Sequence, residues 1–383
     1  MTASLGVLLI SGRLTHQENY ALQFANDPRC RLIGLSDEAD VPVEREALNR
    51  ALADDLAIPY LPDLADALGR EDVDLVSVCA EPERRGRIVA RGAAAGKHVY
   101  IDKPMTPYLM AADAAVQAVE AAGVRSQMFS FIHQPWVRRA KQIVASGELG
   151  ELVAIHADCL FAKGSADRAT LGQPRQVTYP PRNFTFVDAK AELYALGVYA
   201  LGSVCWVTQQ TVQTVYGCMA NYFFAAHQKQ DVEDFGFLLL QLSGGINATV
   251  TGGRIGWTKH GSEGTNQLYL IGSKKSLLVD VYRPRLEIFD AAPPWLPPPV
   301  NPRDPMGFWR STQAEVGTQP KRTFVPLPVD EGRSDESHFI DCIIEGRESE
   351  MNVHQAAHLT EVLLAGYQSA ATGTPVSLPL SRQ

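Results

Sequence analysis

Ser11-Gly12-Arg13-Leu14-Thr15-His16-Gln17 follows a short apolar run at the N-terminus, where a nucleotide-binding sheet would turn into its first helix. A dinucleotide fingerprint at such a turn reads G-x-G-x-x-G, and with Gly12 as its first glycine the other two positions hold Leu14 and Gln17. A side chain at the second position obstructs close approach of a pyrophosphate, so the fingerprint is degenerate. Other parts of such a site survive. The helix N-terminus attracts anions, Thr15 is placed to cap it, and Arg13 is placed to supply a phosphate contact. Asp37 lies after the second apolar run, where an acid accepts hydrogen bonds from the adenosine ribose hydroxyls. That favours NAD over NADP, whose extra phosphate an acid repels. The alternative for Asp37 is a solvated residue that ends a strand. Metal chemistry is not expected: His354 and His358 stand one helical turn apart but lack a third ligand. The six cysteines (Cys30, Cys79, Cys159, Cys205, Cys218, Cys342) are scattered without a C-x-x-C pair, which reads as reduced thiols in a cytoplasm.

The elements that must position these residues fall into two groups. Over the first 130 residues, apolar runs at Leu5–Ile10, Arg31–Leu35, Leu75–Val78, His98–Ile101 and Arg125–Phe129 alternate with helical periodicity such as Arg84–Ala95 and Tyr108–Ala122. Buried strands separated by helices predict an α/β, Rossmann-type domain with a parallel sheet covered on both faces. Beyond Gly150 the runs alternate and are β-rich: Glu151–Phe161, Thr211–Met219, Gly236–Leu242, Ile246–Thr251, Gln267–Ile271 and Ser276–Val281, punctuated by Gly-Gly and Gly-Ser turns. They predict a C-terminal α+β domain with a large, mostly antiparallel sheet buried on one face, interrupted by a helix over Ala191–Val207. The division expected is 1–130 and 131–383. Ala292–Pro305 holds seven prolines and reads as a surface loop, a lid or a subunit-contacting arm. Helices are expected over Glu336–Glu345 and His354–Ala371, the last possibly packing back on the N-terminal domain.

Gly96-Lys97-His98-Val99-Tyr100-Ile101-Asp102-Lys103-Pro104 resembles the G-K-H-V…E-K-P signature of the glucose–fructose oxidoreductase/inositol dehydrogenase (Gfo/Idh/MocA) superfamily, with Asp102 in place of glutamate. The resemblance implies that Lys103 lies at the nicotinamide–substrate junction and stabilises charge on the reacting oxygen during hydride transfer. It places Ser11, Gly12, Arg13, Leu14, Asp37, Cys79, Ala80, Asp102 and Lys103 around the cofactor. The family's T-P-x-x-x-H segment falls at Ala80-Glu81-Pro82-Glu83-Arg84-Arg85 and is altered. Its D-x-G-x-H substrate helix corresponds to Ala195-Leu196-Gly197-Val198-Tyr199, with Ala195 for aspartate and Tyr199 for histidine. Some members carry tyrosine there and pair it with the lysine, which implies Tyr199 as the acid/base. A phenol titrates near pH ~10, and an adjacent ammonium favours its ionised form. His133, Lys163 and Tyr194 are implied substrate contacts. Gln134, Lys190, Glu192 and the Trp257, Lys259, His260 cluster are further candidates, each with a structural alternative. Ser337–Arg347 and Thr372–Val376 match the family's C-terminal pattern.

The chain has 383 residues, 45% of them hydrophobic and 20% charged, with a formal charge of −8. That balance disfavours nucleic acid and anionic membranes, both of which reward a basic surface. No apolar stretch reaches the roughly 18 residues of a membrane span, and the first ten residues read as a buried strand, not a signal peptide. The expectation is a cytoplasmic, NAD-linked oxidoreductase for a sugar, cyclitol or derivative. The resemblance also implies a homodimer or homotetramer. Two alternatives stand beside it: a glycoside-cleaving enzyme that uses NAD for transient oxidation, and a non-catalytic member that has lost dinucleotide binding.

Overall fold

The structure is a computed structural model that describes residues 4–162, 173–174, 191–255, 264–280, 301–304, 309–316 and 334–382. Its first part runs β1 (Leu5–Ile10), α1 (Gln17–Asn26), β2 (Cys30–Ser36), α2 (Val43–Asp55), β3 (Tyr60–Leu61), α3 (Leu64–Leu68), β4 (Leu75–Val78), α4 (Pro82–Ala94), β5 (His98–Ile101), α5 (Leu109–Ala122) and β6 (Ser126–Met128). These strands form a parallel sheet in the order β3-β2-β1-β4-β5-β6. The order reverses between β1 and β4, which opens a crevice at the carboxyl ends of the strands. Alternate residues of β1 serve opposite faces. Val7 and Leu9 join Tyr20 and Phe24 of α1, while Leu8 and Ile10 join Ile88 and Val89 of α4.

The second part contains α6 (Pro135–Ala145), β7 (Leu152–Ala162), β8 (Gln173–Pro174), α7 (Glu192–Thr208), β9 (Val212–Asn221), α8 (Ala225–Lys229), β10 (Phe235–Leu242), β11 (Asn247–Ile255), β12 (Gly264–Gly272), β13 (Ser276–Asp280), α9 (Arg310–Glu315), α10 (Asp335–Glu345), α11 (Val353–Thr372) and β14 (Val376–Ser377). Its sheet runs β13-β12-β7-β11-β10-β9-β14, with β8 also paired to β9. Every described pairing is antiparallel except β7 with β11. Leu238, Leu240 and Leu242 of β10 point into the core, whereas Phe237 and Leu239 stay exposed with Tyr216, Tyr269 and Leu278 from neighbouring strands. The sheet thus has one covered face and one open, apolar face.

α7 is apolar on all sides because it is buried on all sides, between the sheet, α6 and α11. Its seat depends on two glycines. A Cβ on Gly252 of β11 would stand 2.6 Å from the Gly197 nitrogen and 2.7 Å from its Cα. Gly252-Gly253, read from sequence as a turn, therefore continues a strand, because only a bare backbone admits the helix so closely. The turn signal holds at Gly244-Gly245, between β10 and β11. Both closing helices return to the first sheet: α10 packs on α1 and β5, and α11 on α5 and β6. From the proline-rich run, only 301–304 is described, a turn closed by an Asn301–Asp304 bridge. Among the described residues, no helix is long and apolar enough to cross a membrane.

Candidate active site

The end of β5 delivers Asp102, Lys103 and Pro104 to the crevice, and buried charge holds them there. The Asp102 carboxylate accepts from Arg85 Nη2 at 2.8 Å and Tyr20 Oη at 2.9 Å, and it meets His16 Nδ1 at 2.8 Å. Burial alone would raise its pKa, but His16 and Arg85 outweigh that and hold it well below the usual carboxylate range. Arg85 also donates to the carbonyls of Ala80, Asp102 and Pro104, so α4 grips the whole turn. The residue that stands for the family's glutamate is thus a structural anchor. Lys103 is 6% exposed and lines the crevice.

Lys103 and Tyr199, distant in sequence, are brought together. Lys103 Nζ lies 4.5 Å from the centroid of the Tyr199 ring and donates to the Ala195 carbonyl at 2.7 Å. At the position of the missing aspartate, the backbone of Ala195 therefore supplies the lysine's acceptor. Phe131 fixes the Tyr199 ring by stacking at 3.9 Å and 10°, with Phe129 edge-on at 6.0 Å. Tyr194 also lines the crevice, but its hydroxyl is spent on the Thr106 carbonyl. Sequence reasoning missed Phe129 and Phe131, because aromatic residues after a strand carry no signal beyond core packing.

The phosphate loop turns through left-handed backbone at residues other than glycine. Leu14, at the second glycine position, takes a left-handed backbone with φ 60°, and Ser11 does the same at 71°. Gly12 is required by packing, since a Cβ would meet the Asn49 Cα at 2.5 Å. The loop's donors are engaged within the protein. Arg13 N–H donates to the Leu48 carbonyl at 3.2 Å, and Leu14 N–H donates to Glu18 Oε1 at 2.6 Å. Thr15, expected to cap α1, stands one residue before the cap: the N-cap is His16, without a side-chain cap bond, and the Thr15 hydroxyl accepts from Gln17 N–H at 3.1 Å. Arg13, expected on a phosphate, turns instead to Asp55 at 2.6 Å.

Asp37 sits where β2 ends, but not as a solvated residue: it is fully buried. It pairs with Arg84 Nη1 at 2.8 Å and accepts from Asn49 Nδ2 at 2.9 Å. Arg84 also binds Glu81 at 2.6 Å and Glu38 at 3.0 Å, and Arg45 binds Glu81 at 2.8 Å. The altered T-P-x-x-x-H segment thus contributes Glu81 and Arg84 to a buried charge network. Burial opposes ionisation of Glu81, yet Arg45 and Arg84 together pull its pKa below the ordinary value.

NAD needs an anion seat, a ribose acceptor and space. The α1 N-terminus has the chemistry of the first, and the backbone at Cys79 and Ala80 borders the cleft, but Asp37, expected as the ribose acceptor, is fully buried, paired with Arg84 and Asn49, and does not line it. Space is reduced here: Trp309 closes the cleft beside Leu14 and His16, leaving about 50 Å³, against the roughly 300–1,000 Å³ of ordinary ligand pockets. His133, expected at the substrate, faces elsewhere. Its ring lies 3.8 Å from that of His338 at a tilt of 30°, and it does not line the cleft. His133, His338 and Glu350 lie within metal-ligand reach of one another. His338 Nε2 already has other partners, Glu350 at 3.0 Å and Arg347 Nη1 at 3.3 Å. Lys163, Lys190, Trp257, Lys259 and His260 lie outside the described residues.

Arg84→Met leaves Asp37 and Glu81 buried without their shared cation and should cost about 3–5 kcal/mol in urea unfolding. Glu81 and Glu38 have lowered pKa values, so their stabilisation is present above about pH 4.3 and is lost as pH falls through the folded value. The acid-side loss of stability should be shallower in the variant. A cost under about 1 kcal/mol, within the range of surface pairs, would contradict this account of the network.

Comparison with known proteins agrees with this geometry. Residues 11–130 match the oxidoreductase family described as NAD-binding Rossmann fold, and residues 137–278 match the GFO/IDH/MocA C-terminal domain. Dehydrogenase aclE of Aspergillus oryzae is 36% identical over 101 residues, which is 25% of this chain and 28% of that protein. The chain therefore matches less than a third of that relative's length. The structure of GenD2 from gentamicin A biosynthesis in complex with NAD superposes with a TM-score of 0.71 at 19% identity, covering 99% of this chain and 98% of that one. A putative myo-inositol dehydrogenase from Sinorhizobium meliloti 1021 gives 0.70 at 16% identity, covering 98% and 100%. At those identities the likeness is one of fold. The matched domains, in their expected order around the Lys103 turn, establish that the chain belongs to the Gfo/Idh/MocA family of NAD(P)-dependent oxidoreductases, with NAD as the cofactor of its Rossmann domain.

Proposed function

We propose that this protein interconverts a hydroxyl and a carbonyl on a sugar, cyclitol or derivative, with Lys103 and Tyr199 attending the reacting oxygen. The observation that carries the reading is the Lys103 ammonium, held by Ala195 at the cleft wall and set over the Tyr199 ring. NAD, when bound, accepts or returns the hydride. Lys103 stabilises negative charge on the substrate oxygen, and its own position is fixed before substrate arrives. Tyr199, stacked on Phe131 and edge-on to Phe129 beside Lys103, does not itself line the cleft, and it is the group assigned to give and take the hydroxyl proton. Residues 1–130 serve the cofactor and 131–383 the substrate. The structures of GenD2 and the putative myo-inositol dehydrogenase, an antibiotic-biosynthesis protein and a cyclitol enzyme by their descriptions, lend support to a polyol-like substrate.

A second copy of the chain covers the open sheet face, because Phe237, Leu239 and Leu278 are 46%, 53% and 60% exposed on it. A sedimentation mass equal to one chain would contradict this.

Lys103→Ala should lower kcat on a genuine substrate by about 10²–10³-fold with the fold intact. Tyr199→Phe should slow turnover by about 10²–10⁴-fold and remove one limb of the pH–rate profile. An unaltered profile would exclude tyrosine as the acid/base, and unaltered turnover in Lys103→Ala would remove the lysine from the mechanism.

A further inference from the structure

The start of α1 already holds a carboxyl group of the protein itself; burial raises its pKa, and the Ser311 and Leu14 donors work in the opposite direction. Glu18 is buried, and its Oε1 accepts the Leu14 N–H at 2.6 Å, one of the amides that a bound pyrophosphate would otherwise use. The same carboxylate receives a second segment of the chain: Ser311 N–H donates to Oε2 at 2.8 Å and Ser311 Oγ to Oε1 at 2.8 Å. Two residues earlier, Trp309 is buried against Leu14 and Leu48, with its ring 4.8 Å from that of His16. A short run of chain thus covers the phosphate loop, with Glu18 beneath it.

This run is organised by its own contacts. Asp304 Oδ2 accepts Trp309 N–H at 2.8 Å and also the Thr312 hydroxyl. Arg303 pairs with Glu315 at 2.7 Å, and Asn301 Nδ2 donates to Glu315 at 2.6 Å. Among the described residues, it meets the phosphate loop and α1 through Trp309 and through Ser311 on Glu18. A unit that keeps its internal bonds while shedding a few external ones can leave as a body.

We propose that the described parts of 301–316 form a displaceable strap. With Glu18 as an internal anion, Trp309 and Ser311 occupy the seat of the cofactor pyrophosphate, so strap docking and NAD binding exclude one another. Two anions cannot share one helix N-terminus in a buried site, since like charges at contact repel strongly where water is absent. Entry of the pyrophosphate requires Glu18 to swing out, which breaks both Ser311 bonds. Trp309 must vacate the remaining volume. Apparent affinity for NAD is then the intrinsic affinity reduced by the fraction of molecules whose strap is open. The proposal rests on NAD being the cofactor.

The test is calorimetric titration with NAD of the full chain and of Glu18→Gln, Ser311→Ala and Trp309→Ala, alongside hydrogen exchange of the 309–316 segment. Glu18→Gln keeps the side chain's shape but removes the charge, and Ser311→Ala removes only a hydroxyl, so both remain informative if Trp309→Ala fails to fold. NAD should bind each folded variant more tightly than the parent, by about tenfold where the strap is closed in nine molecules of ten. Saturating NAD should also strip exchange protection from 309–316 in the parent. Binding with unchanged or weaker affinity in Glu18→Gln and Ser311→Ala, or with 309–316 still protected, would overturn the strap while leaving the cofactor reading intact. Absence of NAD binding in every protein, Glu18→Gln included, would overturn both.

Discussion

Asp102 ties the cleft together. A carboxylate buried at the end of β5 costs several kcal/mol unless it is paired on every side, and here Arg85, His16 and Tyr20 do the pairing. Those partners come from α4 and from the two ends of the α1 entrance, so one charge fixes three elements relative to one another. Lys103 inherits its position from that anchor, since it is the next residue along a turn that Arg85 also grips by its carbonyls. His16 inherits its position too, and the Trp309 ring rests beside it. The lysine, the phosphate loop and the strap therefore share one origin.

The second charge network, Asp37 with Arg84, Glu81, Arg45 and Glu38, explains the departures on the cofactor side. In place of an open loop between β2 and α4, the chain has matched acids and cations and buried them nearly completely. In such a network each member is satisfied only while the others are present. Leu14 fits the same pattern. It keeps the backbone shape of a glycine and places its side chain in the small cluster with Trp309.

Much of the fold was legible from periodicity. Runs such as Leu75–Val78, largely apolar without alternation, mark strands covered on both faces, and the alternation of Ile246–Thr251 marks a sheet with one open face. The Lys103 turn was legible because its string combines a strand, an acid, a lysine and a proline in fixed order. What escaped were long-range substitutions. Asp37 reads equally well as a ribose acceptor or a solvated strand end, and only its contact with Arg84, 47 residues away, shows it to be neither free nor exposed. Gly252-Gly253 looks like a turn until α7 is placed against it. His133 lies close in sequence to Phe131, yet it turns toward His338 on α10, a helix 200 residues further on. Nothing in Trp309 or Glu18 by itself points to the other, because their meeting depends on how a proline-rich arm returns to α1.

The account turns on the Lys103 end of the crevice being where the nicotinamide meets substrate. The most direct measurement is a crystal structure of the protein grown in saturating NAD. The result predicted is a dinucleotide with its nicotinamide beside Lys103 and its pyrophosphate at the start of α1. A dinucleotide bound elsewhere, or a cleft still filled by Glu18 and Trp309 under those conditions, would contradict it.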